Sequence, residues 1–308
     1  MNERLHFIGV STAGSSIFDL FPRWAGLLGL DAEIAGRDIP LDAEPKRYRA
    51  AVAEIAGDDT IRGALVTAHK VDLYRHAGDL FAELDSFANL CGEVSCISKQ
   101  EHGLIGHAKD PITAGRALED MLTPDYWTRR EAHALCMGAG GAGTAITVYL
   151  LSGEESPAGL VVTDRDEQRI RALQSVHRRL THRARVEYHV VSAPEQHDAL
   201  LAGLARGSLV VNATGMGKDV PGSPVSDAAQ FPQEGIVWEL NYRGDLGFLR
   251  SARRQVAERR LTVHDGWRYF LHGWSEVIAE VFHLEVTPER FAQLAAEAES
   301  LRPPTTSA

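Results

Sequence analysis

Cysteine is scarce in this chain: Cys91, Cys96 and Cys136 are the only three in 308 residues. An odd number in apolar surroundings makes a poor disulfide framework and fits a reducing cytoplasm. Cys91 and Cys96 find no second pair to complete a metal site, so no metal is expected. No run of about 18 apolar residues occurs, which excludes a membrane-spanning helix. The opening MNERLHFIGV mixes acidic and basic residues and reaches no long apolar stretch, unlike a secretory signal. Basic residues are in the minority, 32 Lys and Arg against 42 Asp and Glu, giving a net charge of −10. That balance argues against nucleic acid or an anionic membrane as the main partner. Repeats and low-complexity segments are also lacking. What is present, 44% hydrophobic and 24% charged residues, suits a soluble chain with a full core and room for two domains.

The most informative stretch is residues 134–143, ALCMGAGGAG. The apolar Leu135-Cys136-Met137 runs into Gly138, Gly140 and Gly143, which have the G-x-G-x-x-G spacing, and residues 144–151 then read as a helix. A strand feeding a glycine turn that opens a helix is the dinucleotide-binding arrangement. The first glycine permits the tight turn, the second lets backbone approach a pyrophosphate, and the third lets helix pack on strand. Phosphates would meet free N–H groups at the positive end of the helix dipole. A second apolar strand over residues 159–163 ends at Asp164, a carboxylate able to hold a ribose. The alternative is a merely tight strand–helix turn.

Before that stretch, strands are expected at residues 5–10, 31–38 and 62–67, alternating with helices at 17–28, 45–55 and 73–84. Residues 89–110 read as two short strands joined by a turn at 100–103, followed by a helix over 113–122. Beyond the glycine turn, strands are expected near 186–191, 208–214, 235–241 and 261–264, with helices at 247–259, 265–282 and 288–301. Strands alternating with helices mean an α/β fold. We expect a mostly parallel N-terminal α/β substrate domain, residues 1–111 completed by the helices of 264–308. A Rossmann-type nucleotide-binding domain would occupy 112–263, after the polar link 123–131.

Several further motifs fall in a telling order. They are Gly9 followed by Ser15-Ser16; Leu65-Val66-Thr67-Ala68-His69-Lys70; Gly92-Glu93-Val94-Ser95-Cys96; and Gly106-His107-Ala108-Lys109-Asp110. After them come Gly138-Ala139-Gly140-Gly141-Ala142, Asp164-Arg165-Asp166, and Asn212-Ala213-Thr214-Gly215-Met216-Gly217. In this order, over residues 7–282, the chain resembles the shikimate/quinate dehydrogenase family. Gly-Ala-Gly-Gly-Ala is intact. The family's Asn-Val-Thr-x-Pro-x-Lys here lacks the Asn and the Pro, its Gly-Ala-Val-Asn-Thr carries Ser95 for Asn, and its Gly-x-Asn-Thr-Asp keeps only the glycine and final acid. His272 stands nearest to a substrate-binding Gln of the C-terminal helices.

The resemblance implies an NAD(P)-dependent oxidoreductase, reversibly oxidising a ring secondary alcohol of shikimate or a related polyhydroxylated cyclic compound. Quinate, aminoshikimate and cyclitol dehydrogenases are alternatives, and so is a non-catalytic NAD(P)-binding regulator. Hydride transfer needs a group that moves the hydroxyl proton. Lys70 is assigned to that task with Asp110 orienting it, the cleft between domains bringing them to the nicotinamide. The alternative is a surface ion pair. Ser15, Ser16, Thr67, Ser95 and His272 are the expected substrate contacts, although one of the two serines could simply cap the helix that follows. His69 is a further candidate. The cofactor would be held by Gly138, Ala139, Gly140, Gly141, Ala142, Gly143, Asp164, Arg165, Asn212, Thr214, Gly215 and Met216. Asp164 and Asp166 favour NAD; Arg165 could instead pair with the 2′-phosphate of NADP. The aromatic run Trp267, Tyr269, Phe270 and Trp274 reads as packing. A cytoplasmic monomer or homodimer in aromatic amino acid biosynthesis is the resulting expectation.

Overall fold

The apolar run Leu5-His6-Phe7-Ile8 forms the core of strand β1 (Glu3–Gly9), with Leu5 and Ile8 fully buried. The computed structural model describes residues 3–218 and 220–303. The chain divides into two compact units, one made of the residues up to Asp110 together with Leu271–Arg302, the other of Pro111–Phe270.

In the first unit β1 leads into α1 (Ile17–Leu28), then β2 (Ala32–Asp38), α2 (Pro45–Gly57) and β3 (Ile61–Val66). Next come α3 (Lys70–Ala77), β4 (Glu83–Leu84), α4 (Ser86–Cys91), β5 (Cys96–Gln100) and β6 (Gly103–His107). The sheet order is β2-β1-β3-β5-β6-β4, and only β5 runs against its neighbours. Ile8, Tyr48, Val52, Ile55, Val66 and Leu73 pack one face of it. The helix read over 73–84 instead starts at Lys70 and stops at Ala77, where Gly78 begins a single 3₁₀ turn before β4. Glycine is a poor helix interior residue, and Leu84 is taken up by pairing with Gly106 of β6. The short α4 went unread because Asp85, its cap, supplies the ordering. Asp85 Oδ1 accepts the Ala88 N–H at 2.6 Å.

The second unit continues with α5 (Asp110–Glu119), α6 (Tyr126–Arg129), β7 (His133–Met137), α7 (Gly141–Ser152) and β8 (Gly159–Asp164). After these come α8 (Glu167–His177), β9 (Arg185–Val190), α9 (Pro194–Ala202), β10 (Leu209–Asn212) and β11 (Ile236–Glu239). It closes with α10 (Gly247–Arg254), α11 (Val256–Arg259) and β12 (Thr262–His264); the one helix read over 247–259 is interrupted at Gln255. Helix α5 begins three residues earlier than read, because Pro111 fits a first turn, where no N–H is needed. All six strands are parallel, in the order β12-β11-β10-β7-β8-β9. Ala134 and Cys136 of β7 pack into one core layer, Leu135 and Met137 into the other. This is why that strand reads as continuously apolar: a parallel sheet is covered on both faces.

Helices α12 (Trp267–Val281) and α13 (Pro288–Glu299) complete the chain. The chain re-enters the first unit at Leu271, within α12. There α13 lies on α1, and the buried Trp24 Nε1 donates to the Leu294 carbonyl at 2.9 Å. Among the described residues no helix is long and apolar enough to cross a membrane.

Candidate functional site

In the second unit the strand order reverses between β7 and β10, and the loops leaving those two strands meet. The Ala213 N–H donates to the Met137 carbonyl at 2.8 Å, and the Gly138 N–H to the Thr163 carbonyl at 2.8 Å. Such a reversal leaves a crevice outside the carboxyl ends of the strands. Here it holds a cavity of about 210 Å³ lined by Gly138, Gly140, Asp164, Arg165, Arg169 and Thr214, among others.

The three glycines of the turn have separate reasons. Gly138 has φ +109, and a Cβ there would sit 2.6 Å from the Ala213 carbonyl oxygen. A Cβ on Gly143 would lie 1.9 Å from the Gly138 carbonyl oxygen. Both are therefore demanded by the protein's own backbone. Gly140 is different: a Cβ there would meet nothing closer than Arg169 Nη1 at 3.9 Å. That space, beside the N-terminus of α7 and two arginines lining the cavity, fits a group carrying phosphates. Gly141, Ala142 and Gly143 form the first turn of that helix.

Asp164, nearly buried, is tied into the turn. Its Oδ2 accepts the Ala139 N–H at 2.7 Å and its Oδ1 the Asp166 N–H at 2.9 Å. On the other side of the cavity, Asn212 Oδ1 accepts the Thr214 N–H and hydroxyl at 3.1 and 2.7 Å, which shapes the loop through Gly215 and Met216. Two residues not foreseen in the sequence hold Asn212 in place. Its Nδ2 donates to the fully buried Glu239 at 2.6 Å, and Glu239 also accepts the Asn241 N–H and Nδ2 at 2.8 and 2.7 Å. Asn241 Nδ2 donates in turn to the Met216 carbonyl at 3.2 Å. Burial pushes the Glu239 carboxyl up to about 7 against these donors. Their signal was the acid at the end of an apolar strand, Trp238-Glu239.

In the first unit the candidate side chains gather along one sheet edge. Ser15 and Ser16 follow β1, Thr67 and Lys70 follow β3, Asp110 follows β6, and Ser95 precedes the antiparallel β5. The register, with Phe7 opposite Leu65, Leu65 opposite Cys96 and Cys96 opposite His107, puts all these strand ends together. Lys70 Nζ donates to Asp110 Oδ2 in a contact that is mostly shielded, the two side chains 20% and 17% exposed. Burial works against the lysine's charge, but the Asp110 and Glu93 carboxyls more than offset it and hold its pKa above the usual amine range.

Ser15 and Ser16 are half-buried at the start of α1; Ser15 Oγ lies 3.5 Å from the Ile17 N–H and Ser16 makes no side-chain cap. Thr67 is exposed, its hydroxyl donating to the Ile8 carbonyl at 3.3 Å. Ser95 is buried and its Oγ accepts the Lys109 N–H at 2.8 Å, fixing the residue beside Asp110. His272 is buried and stacks on Phe291 of α13, ring centroids 3.9 Å apart. His69 is fully buried, its Nε2 2.7 Å from the Ile39 carbonyl oxygen. Trp267 and Trp274 are buried, in keeping with a packing role.

A six-stranded parallel sheet with a glycine turn at its switch point, together with a second α/β unit bearing a shielded Lys–Asp pair, defines a two-unit α/β protein with one Rossmann-type sheet. Comparison with known proteins narrows this. The chain is 29% identical to the shikimate dehydrogenase (NADP(+)) of Streptococcus gordonii over 175 residues, spanning 56% of this chain and only 58% of that protein's length. It is 27% identical to the shikimate dehydrogenase (NADP(+)) of Methylocella silvestris over 273 residues, 86% of each. Among solved structures, quinate dehydrogenase from Corynebacterium glutamicum in complex with NAD superposes with a TM-score of 0.74 at 20% identity, covering 97% of this chain and 99% of that one. Shikimate 5-dehydrogenase from Thermus thermophilus in complex with NADP(H) and shikimate gives 0.71 at 24% identity, covering 96% and 99%. No protein-family model matches the chain. In sequence the chain is thus similar to shikimate dehydrogenases, and it shares the fold of shikimate and quinate dehydrogenases.

Proposed function

We propose that the protein is an NAD(P)-dependent oxidoreductase that reversibly oxidises a ring secondary alcohol of shikimate or a closely related polyhydroxylated cyclic compound. The observation that carries this reading is the shielded Lys70–Asp110 contact, at the same sheet edge as the hydroxyls of Ser15, Ser16 and Thr67. The curated relatives named as shikimate dehydrogenases support it.

A bound nicotinamide dinucleotide supplies the hydride acceptor or donor. The chain's own part is to hold that group and to manage the proton. The glycine turn offers N–H groups to the phosphates, with Gly140 leaving room for their close approach. Lys70, whose ammonium form its carboxylate neighbours favour, gives a proton from Nζ to the carbonyl oxygen during reduction; in oxidation its neutral amine takes the proton from the hydroxyl. Asp110 fixes the direction in which Nζ points. The serine and threonine hydroxyls orient the ring. Asp164 favours NAD by accepting from the ribose, whereas Arg165 and Arg169 favour the 2′-phosphate of NADP.

The test is cofactor reduction measured with NAD and with NADP across shikimate, quinate, aminoshikimate and carboxylate-free cyclitols. Turnover of one of these that disappears in K70M supports the assignment. Nucleotide binding with no turnover on any of them would instead favour a regulator that has kept the cofactor site and lost the chemistry.

A further inference from the structure

The short segment that leads into Asp110 is held by a cluster of side chains that the proposed reaction does not use. It lies between β6 and α5, where the family pattern Gly-x-Asn-Thr-Asp is most altered: Ala108 stands for the asparagine and Lys109 for the threonine. The Lys109 side chain is only 12% exposed, and its Nζ donates to Glu280 Oε2 near the end of α12. The other oxygen of Glu280 lies 3.5 Å from Nε2 of the buried His107. That Nε2 is also 2.8 Å from the Oγ of the fully buried Ser98, and His107 Nδ1 is 3.3 Å from Asp85 Oδ2.

The backbone of the segment is pinned by the same strand ends. The His107 carbonyl accepts the Ser95 N–H at 2.8 Å, the Ala108 N–H donates to Asp85 Oδ1 at 3.3 Å, and the Lys109 N–H to Ser95 Oγ at 2.8 Å. Asp110, the next residue, opens α5. A lysine as shielded as Lys109 needs a partner for its charge, because an unpaired charge in that position must move toward water. Glu280 is that partner. Burial opposes its ionisation, but Lys109, His107 and His283 outweigh burial and hold its pKa below the usual carboxylate range.

We propose that Glu280 is a positioning residue for the Lys70–Asp110 pair: by anchoring the Lys109 side chain it fixes the peptide from which Asp110 reaches Lys70. It acts through Lys109 and Asp110 and has no contact with substrate. The proposal rests on the reading of Lys70 and Asp110 as the pair that handles the proton, and its test separates the two.

The experiment is acylation of the intact protein by a trace of acetic anhydride from about pH 7 to 11, read lysine by lysine by peptide mass spectrometry. Only the uncharged amine reacts, so the rate at Lys70 follows its deprotonated fraction. The charges that bear most on Lys70 are those of Asp110, Glu93 and Cys91, so a change at Glu280 reaches it by moving Asp110. D110N, which removes the partner charge outright, sets the full fall of the Lys70 midpoint. E280Q should lower the midpoint by about one pH unit, making Lys70 roughly tenfold more reactive below it. K109M, which breaks the same ion pair from the other side, should shift it in the same direction. Added to D110N, E280Q should change nothing further. Lys46, on the surface of α2, serves as the unshifted reference.

An unmoved Lys70 midpoint in E280Q and K109M would overturn the proposal. So would an equal shift by E280Q in the original chain and in D110N, because general loosening of the unit would act with or without the Asp110 charge. Where a substrate turns over, E280Q should lower kcat about tenfold and leave KM within about twofold, since Ser15, Ser16 and Thr67 sit on other segments. A raised KM at unchanged kcat would overturn Glu280's part in the reaction. Absence of turnover on every alcohol would sink the dehydrogenase reading, while the acylation series would still decide whether Glu280 holds Asp110 in place.

Discussion

The glycine turn of the second unit and the lysine edge of the first are built by different means. At the turn the contacts come from backbone: N–H groups at the start of α7, a left-handed Gly138, and a loop whose shape is set by Asn212, Glu239 and Asn241. Such a site depends on where the chain runs and tolerates few residue types at a few positions. At the lysine edge the contacts come from side chains rooted on four strand ends, any of which can change while the fold persists. There the chain departs from the family pattern at Leu65, Glu93 and Ser95. A pocket made of backbone preserves its ligand class; one made of side chains can change its substrate.

The sharpest way to break this comparison is K70M. It should lower turnover by about three powers of ten, as expected for a positioned acid–base group, while calorimetry finds nucleotide affinity unchanged. Loss of nucleotide binding as well would mean that the two regions are not separable.

Acid should act on the backbone-built region. His177 is buried between Tyr188 and Thr147, whose hydroxyl donates to the Gly143 carbonyl at 2.8 Å, and burial lowers its pKa from 6.5 to about 4. The folded state therefore binds fewer protons than the unfolded one between these values. Stability is fully present above pH 6.5 and falls as the pH drops toward 4, by up to about 3 kcal/mol. Denaturant melts at pH 7 and pH 5 should show this loss in the original chain and a flatter response in H177Q.

The glycines sharpen the contrast within the turn itself. G143A forces its Cβ into the Gly138 carbonyl and should cost about 1–3 kcal/mol in thermal or denaturant melts. G140A meets only open space, so its stability should stay within about 0.5 kcal/mol of the original. Its nucleotide affinity should nevertheless fall about tenfold, a loss near 1.4 kcal/mol. A G140A protein that binds as tightly as the original would show that no ligand backs onto that position.

The same division explains what the sequence made legible. The order strand, glycine turn, helix, strand and acid is local, and each step is constrained by short-range sterics, so residues 134–164 could be read directly. The parallel sheet of the second unit followed from the alternation of its strands with helices. Glu239 and Asn241 escaped notice because their purpose exists only once β10 and β11 lie side by side, bringing Asn212 against Glu239. Helix α4 and strand β4 are short enough to depend on their neighbours: Asp85 caps one and β6 pairs the other. His69 stands beside Lys70 in sequence, but successive residues of a helix differ by about 100° in direction, so its ring is buried against the Ile39 carbonyl.

One consequence concerns the order in which the parts can assemble. The unit that starts earlier in the chain is finished by the segment that leaves the ribosome late: α13 seats Leu294 against Trp24, with Arg23 and Glu297 joined at 3.0 Å alongside. The bulk of the later-starting unit, with all six strands of its sheet, lies within Pro111–Phe270, upstream of α13. During synthesis the nucleotide-type sheet can therefore close while the lysine-bearing portion still waits for its last two helices, reversing the usual rule that the amino-terminal region matures first.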